Sequence, residues 1–115
     1  MATSAEIRNK AAKKLGLFGT GQTLRSAISA DLDDAVTEVF AELENLGLKT
    51  WGATAEVPDH LVWPVVAKVA YSRVTEYPTP VERYNRVAAD FSVAEGRIQA
   101  LVAQRKVGQV KIEAF

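Results

Sequence analysis

Few residues in this chain have the types and spacing that chemistry requires. His60 is the only histidine, and there is no cysteine. A zinc site draws on several His, Cys or carboxylate ligands at fixed spacings. His60 beside Asp59 supplies neither that set nor, without a placed nucleophile, a catalytic triad, so a structural or capping role is expected. The run Asp31-Leu32-Asp33-Asp34 gathers carboxylates but lacks the glycine and the distal glutamate of a calcium loop. On a helix Asp33 and Asp34 point in different directions and do not share an ion. Glu38 and Glu42 stand four apart on one helix face, but that face reads as solvated. Phe18-Gly19-Thr20-Gly21-Gln22 lacks the spacing and the Lys–Ser/Thr pair of a phosphate loop. The chain therefore reads as a non-enzyme, with no catalytic residue, cofactor or metal expected.

The elements that position these residues follow from composition and periodicity. With 115 residues, 48% hydrophobic and 24% charged, the chain matches one ordinary globular domain with a sizeable core. No run reaches the ~18 apolar residues of a membrane span, and the start lacks the apolar segment of a signal peptide. Net charge is zero but segregated. Residues 1–30 carry five bases against one acid, residues 31–60 one base against eight acids, and residues 61–115 eight bases against five acids. An overall balance of zero disfavours a dedicated nucleic-acid binder. The segregation favours complementary faces.

Four helices are expected. The first opens at Ser4 as N-cap, carries Ile7, Ala11 and Leu15 as an apolar stripe, and stops at Gly16. A glycine-containing loop follows, with Phe18 and Leu24 tucked onto the core. The second opens at Ser29 or Asp31, repeats Leu32, Val36, Val39, Phe40, Leu43 and Leu46 at helical spacing, and ends at Gly47. Trp51 is placed at a helix junction. The third starts at Val57-Pro58-Asp59. Its broad apolar face makes it the central helix, and Pro64 predicts a late start or a kink. The fourth runs from Thr79 as cap and Pro80 to about Arg105, with Tyr84, Val87, Ala88, Phe91, Ala94, Ile98, Leu101 and Val102 on one face. Gly96 in it marks a close helix contact or a bend. The fold class is all-α: a small four-helix bundle with a long last helix.

The end of the chain, Lys106-Val107-Gly108-Gln109-Val110-Lys111-Ile112-Glu113-Ala114-Phe115, alternates in the strand period. No other segment offers it a sheet, so it is read as an arm that adds a strand to another chain. This divides the chain into a helical domain, residues 1–106, and a C-terminal extended docking arm, residues 107–115.

This order of elements resembles the head–tail adaptor, or connector, proteins of tailed bacteriophages. The resemblance rests on the basic first helix ending in Lys13-Lys14-Leu15-Gly16 and the acidic helix from Asp31 to Gly47 followed by Trp51. It rests also on Pro58-Asp59-His60 opening a helix that closes at Tyr77-Pro78, then on the long last helix and the tail. It implies a structural protein of the virion, made in the host bacterial cytoplasm. Such proteins form a ring, usually of twelve copies, beneath the portal protein, join head to tail and extend the DNA channel. The partners implied are the portal, neighbouring copies and a distal tail or stopper protein, with non-specific contact to packaged DNA and no membrane. Portal docking falls on Val107, Val110, Ile112, Ala114 and Phe115. Lys10, Lys13, Lys14, Arg97 and Arg105 are candidates, by charge alone, for bases lining the channel. In a ring one face of each subunit meets the opposite face of the next, and Asp33, Asp34 and Glu38 are assigned to the acidic side of that contact. The alternative is a small helical DNA-binding regulator, for which the segment around Arg25 is the weak signal.

Overall fold

A computed structural model describes residues 2–17, 25–49, 56–77 and 79–113, with side chains to Gln104. It is all-α, with α1 (Ser4–Lys14), α2 (Ser26–Asn45), α3 (Asp59–Arg73) and α4 (Val81–Glu113). The glycine-containing run from Phe18 to Gln22, the tuck of Phe18 and Leu24, and Trp51 lie outside the described residues.

α3 is the hub, packing against each of the other three helices. Its Leu61, Pro64, Val65, Val66, Ala67, Val69 and Ala70 are all buried, as expected of a helix apolar on more than one face. Around it lie Ile7, Ala11 and Leu15 of the first segment, Leu32, Ala35, Val36, Val39 and Leu43 of α2, and Val87, Ala94 and Ile98 of α4. Each fully buried leucine or isoleucine contributes about 1.5–3 kcal/mol. The Lys68–Glu42 and Arg73–Asp31 pairs show that α2 runs antiparallel to α3. The Lys68–Glu95 pair and the Tyr71–Phe91 stack show the same for α4.

Gly16 and Gly47 end their helices with φ of 73° and 75°, the left-handed conformation that glycine adopts without cost. The guanidinium of Arg83, in the first turn of α4, lies directly over Gly16 and occupies the space a Cβ there would need. This places a cation at the negative end of α1 and ties α4 to α1. At the other end of the bundle, Ala2 and Val57 exchange backbone hydrogen bonds of 3.2 and 2.7 Å. That isolated bridge fixes the segment before α1 against the start of α3.

Four expectations about helix boundaries change, and so does the close contact expected at Gly96. The N-cap of α1 is Thr3, whose hydroxyl accepts from the Glu6 N–H. Ser4 is already helical. α2 begins at Ser26 rather than Ser29 or Asp31, with Arg25 before it and no side-chain cap. A missing cap forfeits about 1 kcal/mol. Packing of Ile28 on the core and the tertiary contacts of Asp31 outweigh that loss. α3 does not start late: it is helical from Asp59 through Pro64 to Arg73. The carbonyl that Pro64 leaves without a donor belongs to exposed His60, where water can serve it. Thr79 is not the cap of α4. Its hydroxyl donates to the Val74 and Tyr77 carbonyls at the end of the preceding segment. Gly96 makes no close contact, since a Cβ there would meet nothing within 4 Å.

The largest change is at the end of the chain. The backbone stays helical to Glu113, so the extended arm expected from Val107 onward is a continuation of α4 instead. A helix already nucleated gains a hydrogen bond with each added residue. A short alternating run with no strand beside it gains nothing by leaving that ladder. Gly108 costs about 1 kcal/mol within it. Ala114 and Phe115 lie outside the described residues.

Candidate assembly surface

The charged residues fall into two groups, those consumed within the subunit and those left on its surface. α2 contributes most of the acids, and several meet bases of α1 and α3. Arg8 Nη1 lies 3.2 Å from Asp33 Oδ1. Arg73 Nε lies 3.1 Å from Asp31 Oδ1, and its Nη1 3.4 Å from Glu38 Oε2. The Tyr77 hydroxyl donates to Asp31 Oδ2 at 2.6 Å. Burial first, then that hydrogen bond and the charge of Asp31, push the Tyr77 pKa up to about 12.

The most buried charge is Lys68. Its side chain is 5% exposed, and its Nζ lies 2.5 Å from Glu42 Oε1 and 2.7 Å from Glu95 Oε1. The contact to Glu42 is a hydrogen bond. Glu95 Oε1 is buried and sits against the same ammonium. Burial pushes the Lys68 pKa down, the two carboxylates push it up, and the carboxylates win. The stacked rings of Tyr71 and Phe91, with centroids 4.1 Å apart, belong to the same patch. Lys68 was missed from the sequence because the apolar face of α3 drew attention to its packing alone. The available signal was a single charge inside Val65-Val66-Ala67-Lys68-Val69-Ala70, a position that requires a partner once buried.

The residues assigned to the acidic interface are therefore not brought together as one free face. Asp33 and Glu38 are held by Arg8 and Arg73, while Asp34 is exposed. The candidate channel bases are not brought together either. Lys14 pairs with Asp90 of α4, Arg97 lies over the Trp63 ring at 4.9 Å, and Lys10 and Lys13 are exposed. The Arg105 side chain is outside the described residues. Val107, Val110 and Ile112 are on the helical backbone of α4, at its free end. α3 and α4 are antiparallel with Trp63 beside Arg97 and Lys68 beside Glu95. The first residue of α3 therefore lies near residues 101–104, and the remaining turns run roughly 15 Å past the bundle.

A cavity of about 520 Å³ opens between α1 and α2 over Val36, Phe40 and Ala41, rimmed by Arg8, Glu44 and Lys49. His60 is exposed. Among the described residues no group of three or more His, Cys, Asp or Glu could hold a metal ion, and no helix is long and apolar enough to cross a membrane. Arg25 stands just before α2, whose outward side carries Asp34 and Glu44; such a helix would repel phosphates rather than enter a groove.

No protein-family model, no curated protein and no solved structure matches this chain.

Proposed function

We propose that this chain is a structural assembly protein, a head–tail adaptor that forms a ring under a phage portal. The observation that carries the reading is α4. Its 33 residues are more than the bundle can cover, and its last turns extend past the helix it packs on. A helix of this kind docks by laying one face into a groove, so Val107, Val110 and Ile112 act from a helix rather than from an added strand. The antiparallel packing and the internal ion pairs support a rigid body that carries this projection at a fixed angle. The ring has DNA passing through its centre and a distal tail or stopper protein below it.

The internal pairing of Asp33 and Glu38 changes how the ring contact is drawn. All three are exposed, but Asp34 makes no ion pair among the described residues, and it is the residue we assign to the neighbouring subunit. Reversal at Asp34 perturbs assembly without touching an internal pair, whereas reversal at Asp33 or Glu38 also sets a like charge against Arg8 or Arg73. The test is electron microscopy of the purified chain mixed with the portal protein encoded beside it. A layer of density added to one end of the portal is expected, weakened by Asp34→Lys. Bare portals at saturating chain concentration would overturn the proposal.

A further inference from the structure

Among the described residues, Trp63 is the largest apolar side chain that the bundle leaves open. It is 37% exposed and stands one turn into α3. The guanidinium of Arg97, itself exposed, lies over its ring, 4.9 Å from the centroid. The negative face of an indole attracts a cation in that position. The planar fork of donors is thereby held ready, and less side-chain freedom is left to lose on binding. What the pair lacks is an acid. Arg8, Lys14, Lys68 and Arg73 each meet a carboxylate of another helix. Arg97 meets the indole and, among the described residues, no carboxylate.

We infer that Trp63 and Arg97 form one anchor for the protein that receives the end of α4. That partner supplies a carboxylate to the guanidinium and an apolar side chain to the open part of the ring. The anchor rests on the docking role proposed for α4, and three features select this occupant. The first is position. The pair stands on the shoulder from which α4 projects, with Arg97 two turns, about 10 Å, before Gln104. Ala100 and Gln104 continue its side of the helix, both exposed. A partner that grips the turns beyond Gln104 and follows α4 back toward the bundle meets Arg97 and then Trp63. The second is charge. An exposed guanidinium without an acid is complementary to a carboxylate, which it takes through two parallel hydrogen bonds. The third is residue type. Tryptophan and arginine side by side are the combination that carries most of the energy in protein–protein contacts.

A phosphate would also satisfy the fork. A nucleic-acid backbone, however, would leave the indole uncovered, and with it Val93, which is 53% exposed one turn before Arg97. The exposed Glu56, just before α3 at the same end of the bundle, opposes phosphates as well. A protein surface covers the apolar ring and pairs the cation together, and excluding water from the pair is what makes its charge-assisted bonds strong.

The test is titration of the full chain onto the immobilised portal protein encoded beside it, with both proteins treated with nuclease and circular dichroism as the check on folding. Arg97→Ala and Trp63→Ala should each weaken binding about thirtyfold. Arg97→Lys, which keeps the charge without the planar fork, should recover only part of that loss. Arg86→Ala removes an exposed cation about three turns nearer the start of α4 and should bind as the native chain does. Trp63→Leu replaces Trp63→Ala if the alanine variant loses helix signal. Native binding that the Arg97 and Trp63 variants leave intact would overturn the anchor and spare the docking of α4. No binding by the native chain would overturn both. Binding that nuclease treatment abolishes would make a nucleic-acid phosphate the occupant, and self-association of the free chain that Arg97→Ala abolishes in sedimentation would make it a second copy. Either result would overturn the anchor.

Discussion

Replacing Lys68 with methionine removes one cation from the middle of the bundle and leaves two carboxylates that were held by it. Each contact, at 2.5 and 2.7 Å, carries a gross attraction of roughly 6 kcal/mol at an effective dielectric near 20. Desolvation of the ammonium cancels several kcal/mol of that. Breaking a fully buried pair costs about 3–5 kcal/mol. Here the Glu42 side chain is 52% exposed and that of Glu95 32%, so both carboxylates turn toward water once the cation is gone. The expected loss for Lys68→Met is therefore about 1–3 kcal/mol. Urea unfolding followed by helix signal reads it as a lower midpoint at unchanged slope. Glu95→Leu in the same background should recover part of the loss, because the less exposed of the two carboxylates is then absent. A Lys68→Met midpoint at or above that of the native chain would refute the reasoning and make the lysine incidental to the packing of α2, α3 and α4.

Three further outcomes follow from the same geometry. Gly16→Ala meets a left-handed backbone and the Arg83 guanidinium together, so it should cost at least about 1–2 kcal/mol, read as a lowered urea midpoint. Gly96→Ala faces open space in the subunit and should gain about 1 kcal/mol from helix propensity, read as a raised urea midpoint. The Lys68 and Tyr77 pKa values are both raised on folding, from 10.5 and 10.0. Their stabilisation is full below the unfolded values and is lost as pH rises through the folded ones. Unfolding midpoints should fall from about pH 10 to about pH 12, and Tyr77→Phe should flatten the early part of that fall.

The helices were legible because their signals are local. Apolar spacing in α1 and α2, glycine at positions 16 and 47, and the many-sided apolar face of α3 each act within a few turns. The start of α2 was misjudged because tertiary contacts decided it: Ile28 and Asp31 anchor a turn that has no cap. The third helix does begin at the expected Val57-Pro58-Asp59, and only the late start at Pro64 fails, because the buried proline is accepted inside the helix. The tail was misread because a run of five alternating residues satisfies the strand period, while the helix before it was already formed. The pairings across helices were not legible at all. Arg8 with Asp33, Arg73 with Glu38, Lys68 with Glu42 and Lys14 with Asp90 depend on how helices are set side by side, which no one-dimensional spacing contains. Those pairings are also why the segregated charge blocks, read as faces for a neighbour, serve largely to hold one subunit together.

The central claim is that the end of α4 joins this bundle to a portal. The most direct measurement is the fraction of portal particles carrying an added ring, counted by electron microscopy, with the intact chain and with a chain ending at Gln104. Truncation there leaves every described core residue in place. Rings are expected on most portals with the intact chain and on few with the truncated one. Equal counts for the two chains would contradict the docking role of the last turns, and bare portals with both would contradict the adaptor itself.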